Sequence, residues 1–267
     1  MEQSYFETPQ ARLLLGNCLN VLEAMESETV DMVFADPPYF LSNGGKTFVN
    51  GKLKEVEKGE WDRSWGVKKD FEFHLSWIRA CRRVMKPDAT LWVSGTYHSI
   101  FECGFALQAS GFKILNDIVW FKKKITPNFS QRTFTAAHET LIWAGKNENT
   151  KHTFQYDLMK EFSDDEDDLK IKNQQMHSIW KLFSSSKEEK KFGSHPTQKP
   201  LKLLERIILS STKKEDTILD PFCGSGTTGV AAIFHQRKFI GIDKDEKFLE
   251  LSKLRIMNME NKKTTEF

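Results

Sequence analysis

Asp36-Pro37-Pro38-Tyr39 sets a carboxylate, two prolines and an aromatic ring in consecutive positions, directly after the apolar run Val30–Ala35. Proline lacks an N–H and holds a fixed φ, so the pair leaves rigid carbonyl groups pointing outward. A carboxylate beside a proline carbonyl makes an acceptor-rich site suited to an exocyclic amino group. The lone pair of that nitrogen is delocalised into its base, which makes it a poor nucleophile. Two acceptors on its two hydrogens favour a tetrahedral nitrogen with a usable lone pair, and Tyr39 is placed to stack on an extruded base. Alone, the tetrapeptide is also readable as a strand end followed by a surface aromatic.

A second constellation lies near the C-terminus. Thr217–Leu219 is a short apolar strand, followed by Asp220-Pro221-Phe222-Cys223-Gly224-Ser225-Gly226-Thr227-Thr228-Gly229 and a helix from Val230 to His235. Glycines let a backbone turn tightly and approach a ligand closely. Asp243, 23 residues after Asp220, ends the next strand, where an acid suits ribose hydroxyls. The pair predicts a nucleoside cofactor site. A lone glycine-rich turn is often only a βα connection, and the formal match to GxGxxG is weak by itself.

Positioning these residues requires strands and crossover helices. Strands are predicted at Val30–Ala35, Thr90–Ser94, Ile114–Trp120, Leu141–Ala144, Thr217–Leu219 and Phe239–Ile242, and helices over Phe71–Met85 and Leu201–Thr212. Short strands alternating with amphipathic helices predict a doubly wound, mostly parallel α/β sheet. Two stretches break that rhythm: Ser42–Asp70, with seven basic and five acidic residues, and Lys146–Ser194, with the acidic run Ser163–Asp168. Both are expected to be insertions facing a large substrate.

The motifs carry a resemblance. Phe222-Cys223-Gly224-Ser225-Gly226 resembles the Phe-x-Gly-x-Gly motif of S-adenosylmethionine-dependent methyltransferases. Together with Asp36–Tyr39 it looks like the amino-methyltransferases of DNA. The order is that of their β class, a circularly permuted Rossmann-like fold: tetrapeptide first, cofactor motif last, variable target region between. His195-Pro196-Thr197-Gln198-Lys199-Pro200 matches the family motif before the cofactor strand, and Gly16-Asn17-Cys18 the position usually contacting the cofactor's adenine. The stretch Ala35–Gly45, with Lys58–Asp62, is similar to methylases of DpnA type, which act on GATC and accept single-stranded DNA.

The resemblance implies methyl transfer from S-adenosylmethionine to adenine N6 in DNA, in a bacterial restriction–modification system. Asp36, Pro37, Pro38 and Tyr39 would be catalytic. Cofactor contacts would come from Asn17, Cys18, Asp36, His195, Pro196, Thr197, Gln198, Lys199, Pro200, Phe222, Gly224, Ser225, Gly226, Thr227, Thr228 and Asp243. Residues 1–145 would form the catalytic part (including the loop 42–70), 146–194 a target-recognition insertion, and 195–267 the cofactor part of the same domain. β-class relatives often dimerise, so a homodimer is expected.

DNA contact is assigned to Trp61, Lys122, Lys123, Lys124, Asn128 and Arg132. For each a plainer reading stands beside it: a solvated charge run for the lysines, an ordinary polar loop around Asn128 and Arg132. His195 and Lys199 are pocket-lining candidates, although one loop histidine or lysine usually has no such role. Cytosine N4 is the nearest alternative acceptor, though those enzymes more often carry Ser before Pro-Pro-Tyr. Carbon methylation is disfavoured because no Pro-Cys dipeptide is present. A nicotinamide-dependent oxidoreductase would leave Asp36–Tyr39 unexplained, and a binding protein without catalysis would leave the intact motifs so.

Composition sets the remaining bounds. The 267 residues are 39% hydrophobic, enough for a large folded domain, and 39 basic against 37 acidic residues give a net charge of +2. A polyanion must therefore be met by a local patch. The four cysteines are far apart, without metal-ligand spacing, and no metal is expected. No signal-peptide pattern opens the chain and no apolar run approaches a membrane span. A cytoplasmic protein with reduced thiols is expected.

Overall fold

The computed structural model describes residues 4–42, 46–49, 52–55, 62–125, 131–165 and 167–265. In chain order the elements are β1 (Phe6–Glu7), β2 (Ala11–Leu15), α1 (Cys18–Ala24), β3 (Val30–Ala35), β4 (Lys46–Val49), β5 (Lys52–Glu55), α2 (Val67–Val84), β6 (Met85–Gly95) and α3 (Ile100–Ala109). There follow β7 (Lys113–Lys122), β8 (His138–Gly145), α4 (Tyr156–Glu161), β9 (Ile179–Leu182), α5 (Leu201–Ser211), β10 (Thr217–Asp220), α6 (Thr227–Phe234), β11 (Lys238–Asp243) and α7 (Glu246–Thr265).

Nine strands form one sheet in the order β1-β2-β11-β10-β3-β6-β8-β7-β9. Pairing from β2 through β6 is parallel, as is β7 with β9; β1 and β8 run against the rest. The central strands are covered on both faces, which explains their continuous apolar runs. Side chains alternate between two cores: Met32 and Phe34 of β3 pack with α5, α6 and α7, while Val33 and Ala35 pack with α1, α2 and α3. Trp92 stacks on Trp143 in the first core, and Trp77 of α2 is fully buried in the second. Each such side chain contributes about 1.5–3 kcal/mol of burial.

From β3 the chain proceeds through α2 to β6; from β10 it proceeds through α6 to β11 on the opposite side and face. The adjacent pair β3/β10 is therefore the switch point, and the crevice outside its carboxyl ends is where an open α/β sheet binds ligands. Asp36 leaves β3 there and Asp220 ends β10 there.

The predicted strands and helices are present, with shifted ends. Within Ser42–Asp70, expected to lack regular structure, β4 and β5 pair as an antiparallel hairpin and α2 starts at Val67. Within 146–194, β9 adds an edge strand and α4 packs on α5. The acidic run turns partly inward: Arg206 of α5 is 0% exposed and donates to Asp167 at 2.5 Å and Asp164 at 3.2 Å. That corrects the expectation that the whole stretch faces substrate. Trp61 and Asn128 lie outside the described residues. No helix among the described residues is long and apolar enough to cross a membrane.

Candidate active site

The crevice at β3/β10 is a cavity of about 320 Å³. Asp36, Pro37, Pro38 and Tyr39 line one side, and the glycine loop, Asp243 and His195 line the other. Asp62 fixes the segment after the tetrapeptide. Its carboxylate is fully buried and accepts from the Tyr39 and Leu41 N–H groups at 2.9 and 3.1 Å and from the Ser42 hydroxyl at 3.0 Å. Those bonds hold the chain through Phe40, whose φ is +57°.

Tyr39 turns inward rather than standing open. It is 5% exposed, its hydroxyl donates to Asp36 Oδ1 at 2.5 Å, and Lys199 Nζ lies 5.3 Å from its ring centroid. The more open aromatic surface at the cavity belongs to Phe40, Phe73 and Trp65, the last 63% exposed. Asp70 positions Trp65 by accepting from its backbone N–H at 3.0 Å.

Lys199 is no solvated charge. Its ammonium donates to Asp36 Oδ2 at 2.5 Å and lies 3.5 Å from Glu139 Oε2 on β8. Burial pushes the Asp36 carboxyl above its usual range, opposed by Lys199. Burial works against the Lys199 ammonium, but Asp36 and Glu139 carry it above the ordinary lysine value. Burial also pushes the Tyr39 phenol well up, so it stays protonated and donates.

The glycine loop is braced from behind. Asp220 accepts from Phe222 N–H at 3.0 Å and from the Thr228 hydroxyl at 2.6 Å, and burial pushes its carboxyl up to about 7. Asp243 Oδ2 accepts from Gly224 N–H at 2.8 Å. From α7, Ser252 donates to the Gly224 carbonyl at 2.7 Å and Arg255 to the Ser225 carbonyl at 2.6 Å. Sequence reasoning missed Ser252, Arg255 and Glu139, none of which sits in a recognisable motif, and gave Asp62, the end of the Lys58–Asp62 stretch, no role of its own. All four cysteines are buried without a disulfide, and burial raises the Cys223 thiol well above its ordinary value, so it is not a thiolate nucleophile.

Asn17, Cys18, Asp36, His195, Thr197, Gln198, Lys199, Phe222, Gly224, Ser225, Thr227, Thr228 and Asp243 all border the cavity. Pro196, Pro200 and Gly226, expected with them, do not. Pro200 instead precedes α5 as its N-terminal cap position. A Cβ on Gly226 would stand 2.8 Å from Ser252 Cβ, at φ +70°, so this glycine serves loop-to-α7 packing. A Cβ on Gly224 would stand 3.4 Å from the His195 ring. Both glycines are left-handed (Gly224 φ +51°), which costs either alanine about 1–2 kcal/mol; Gly226→Ala adds about 1–3 kcal/mol of overpacking. Thermal unfolding of the two alanine variants checks this: Gly226→Ala should melt lower than Gly224→Ala.

Of the lysine run, Lys122 is engaged elsewhere, donating to Glu139 Oε1 at 2.5 Å, and Lys123 lies over the Phe183 ring at 4.7 Å. Neither contact is visible in the lysine run itself. Lys124 and Arg132 are exposed. The donor set fits a nucleoside cofactor carrying an ammonium group. The Asp243 carboxylate suits ribose hydroxyls, Asp36 and Asp220 suit a cation, and Cys18, Leu19 and Phe222 give a base apolar edges.

The model of the DNA methylase family matches residues 30–254. The chain is 47% identical over 257 residues to the type II methyltransferase M2.LlaDCHI of Lactococcus lactis subsp. cremoris, spanning 96% of this chain and 93% of the relative. It is 46% identical over 257 residues to the type II methyltransferase M2.DpnII of Streptococcus pneumoniae, spanning 96% and 93%. In fold it resembles the PvuII DNA methyltransferase (cytosine-N4-specific), with TM-score 0.71 and 20% identity over 97% of this chain and 94% of that one. It also resembles M1.HpyAVI in complex with S-adenosylmethionine, with TM-score 0.63 and 22% identity over 92% and 99%.

Proposed function

The chain belongs to the DNA methylase family and methylates DNA with S-adenosylmethionine; from that premise we propose that the acceptor is adenine N6, within GATC, in a restriction–modification system. The observation that carries this is Asp36, held at the switch-point cavity next to the glycine loop.

When bound, S-adenosylmethionine supplies a methyl group on a cationic sulfur, whose bonding pair leaves with the sulfur. Asp243 would hold the ribose hydroxyls, with Asn17 and Cys18 at the adenine and the loop Phe222–Thr228 at the amino-acid end. Asp36 would accept one amino hydrogen of the target base and the Pro37 carbonyl the other, which frees the nitrogen lone pair for in-line attack. The nitrogen becomes cationic as the N–C bond forms and then loses a proton, so no dedicated histidine base is needed. Phe40, Phe73 and Trp65 offer faces against which an extruded base can stack.

The exposed parts of 146–194 and of the 122–137 connection, with Lys124 and Arg132, would meet the DNA. Residues 1–145 and 195–267 would together form the catalytic domain around that target region. We place the reaction in the bacterial cytoplasm and expect a homodimer. With a net charge of only +2, the phosphate-derived contribution to binding is small relative to the few kcal/mol that base extrusion costs on a duplex. Single-stranded DNA should therefore be accepted at least as well as duplex at moderate salt. Initial rates on matched single- and double-stranded oligonucleotides, with GATC intact or scrambled, test this across a salt series. A duplex preference persisting at high salt, or equal rates on the scrambled site, would overturn the respective assignment.

A further inference from the structure

Behind Asp36 lies a row of alternating charges drawn from four distant segments. Asp36 follows β3, Lys199 precedes α5, Glu139 lies on β8 and Lys122 ends β7. Lys199 Nζ is 2.5 Å from Asp36 Oδ2 and 3.5 Å from Glu139 Oε2, and Lys122 Nζ is 2.5 Å from Glu139 Oε1. The side chains of Lys199 and Glu139 are 6% and 9% exposed. The Tyr39 hydroxyl sits among them, 2.5 Å from Asp36 and 3.3 Å from Glu139.

Such a buried row is costly to desolvate, and apolar residues of equal volume would serve stability as well or better. Its presence calls for another reason. A buried carboxyl with no cation nearby protonates, and then one of its oxygens becomes a donor. Lys199 counters that. Lys199 also donates to the Tyr39 hydroxyl at 3.0 Å, so its three hydrogens are shared among Asp36, Tyr39 and the Glu139 side. Glu139 gives it a second anion, and Lys122 neutralises the outer side of Glu139.

We propose that Lys199 and Glu139 are positioning residues of the methyl transfer: Lys199 keeps Asp36 ionised and aimed, and Glu139 shares Lys199 so that Asp36 keeps lone pairs for the amino hydrogen. The proposal rests on Asp36 being the amino-group acceptor. Burial opposes ionisation of Glu139, yet Lys199 and Lys122 hold its carboxyl down to about 2.

The signs follow from the groups facing Asp36. Burial and Glu139 raise its pKa, and Lys199 and the Tyr39 hydroxyl lower it. Asp220 at the end of β10 is coupled to it as a like charge, with Asp243 of β11 beyond. Removing the Lys199 charge leaves only the raising influences and the Tyr39 bond, so the acid limb of the rate profile moves up. Removing the Glu139 charge removes a repulsion, so the limb moves down.

Single-turnover methylation of a GATC oligonucleotide, followed against pH, tests this in wild type, Lys199→Met, Lys199→Arg and Glu139→Gln. Titration with S-adenosylmethionine identifies folded variants. Lys199→Met should shift the acid limb up by about 1–3 pH units, the range for loss of an adjacent opposite charge. Lys199→Arg should restore it, and Glu139→Gln should shift it the other way. If Lys199→Met does not fold, the Glu139→Gln profile decides. Acid limbs of Lys199→Met and Glu139→Gln coinciding with wild type, in an enzyme that still loses its activity on Asp36→Ala, would overturn this proposal and leave the acceptor role of Asp36 standing. An active Asp36→Ala would remove that role itself.

Discussion

Asp36→Ala loses methyl transfer by at least about 10²–10³-fold while still binding S-adenosylmethionine, because it deletes one pre-organised acceptor at the point where charge develops. Asp36 is largely buried at the cavity, with Tyr39 on one oxygen and Lys199 on the other. The other described carboxylates nearby are engaged elsewhere: Asp62 accepts from the Tyr39 and Leu41 N–H groups and the Ser42 hydroxyl, Glu139 is turned to Lys199 and Lys122, and Asp220 to its own loop. The fold should survive, since Lys199 keeps Glu139 as a counter-ion. Single-turnover rates and binding isotherms on the same preparation separate the two quantities. Near-normal turnover would refute the amino-group chemistry.

The largest effect on stability is expected at Arg206. Its guanidinium is fully buried, bonded to Asp167 and Asp164 and lying 5.1 and 5.2 Å from the rings of Phe162 and Trp180. Arg206→Ala removes the guanidinium from two buried carboxylates, leaving Asp167 with the Leu169 N–H and Asp164 with Lys202 among its partners. Breaking such a group by removing one partner costs about 3–5 kcal/mol, a fall in Tm on the order of 10 °C. Replacing Arg206, Asp164 and Asp167 together with apolar residues of similar volume should recover most of that loss. Urea and thermal unfolding measure both; a single variant as stable as wild type would show that the clamp is not part of the folded core.

That clamp illustrates where sequence reasoning stops. Asp164–Asp168 reads as part of a stretch facing substrate, because the partner that draws two of its carboxylates inward is about forty residues away, inside a helix whose apolar face is otherwise legible. Lys199 is similar: a lysine in a loop motif shows nothing of Asp36 and Glu139 until the sheet brings β3 and β8 near it. The central strands were readable because burial on both faces makes them uniformly apolar. The switch-point site was readable because its two motifs each follow a strand. α7 was not, since Leu254 and Met257 are exposed while Ser252 and Arg255 are buried against the glycine loop, so no clean apolar stripe marks it. The hairpin of β4 and β5 did leave a signal, the Asn50-Gly51 dipeptide between them, which favours two-residue turns. Lys122 reads as a phosphate contact by type alone; its pairing with Glu139 on a neighbouring strand is invisible in the run.

The acceptor atom is tested most directly by letting the purified protein methylate unmodified DNA with methyl-labelled S-adenosylmethionine, then digesting the product to nucleosides and locating the label by mass. The arrangement of Asp36, Tyr39 and the glycine loop predicts label in N6-methyldeoxyadenosine alone, absent from the Asp36→Ala reaction. Label in N4-methyldeoxycytidine, or equal labelling by the Asp36 variant, would contradict it.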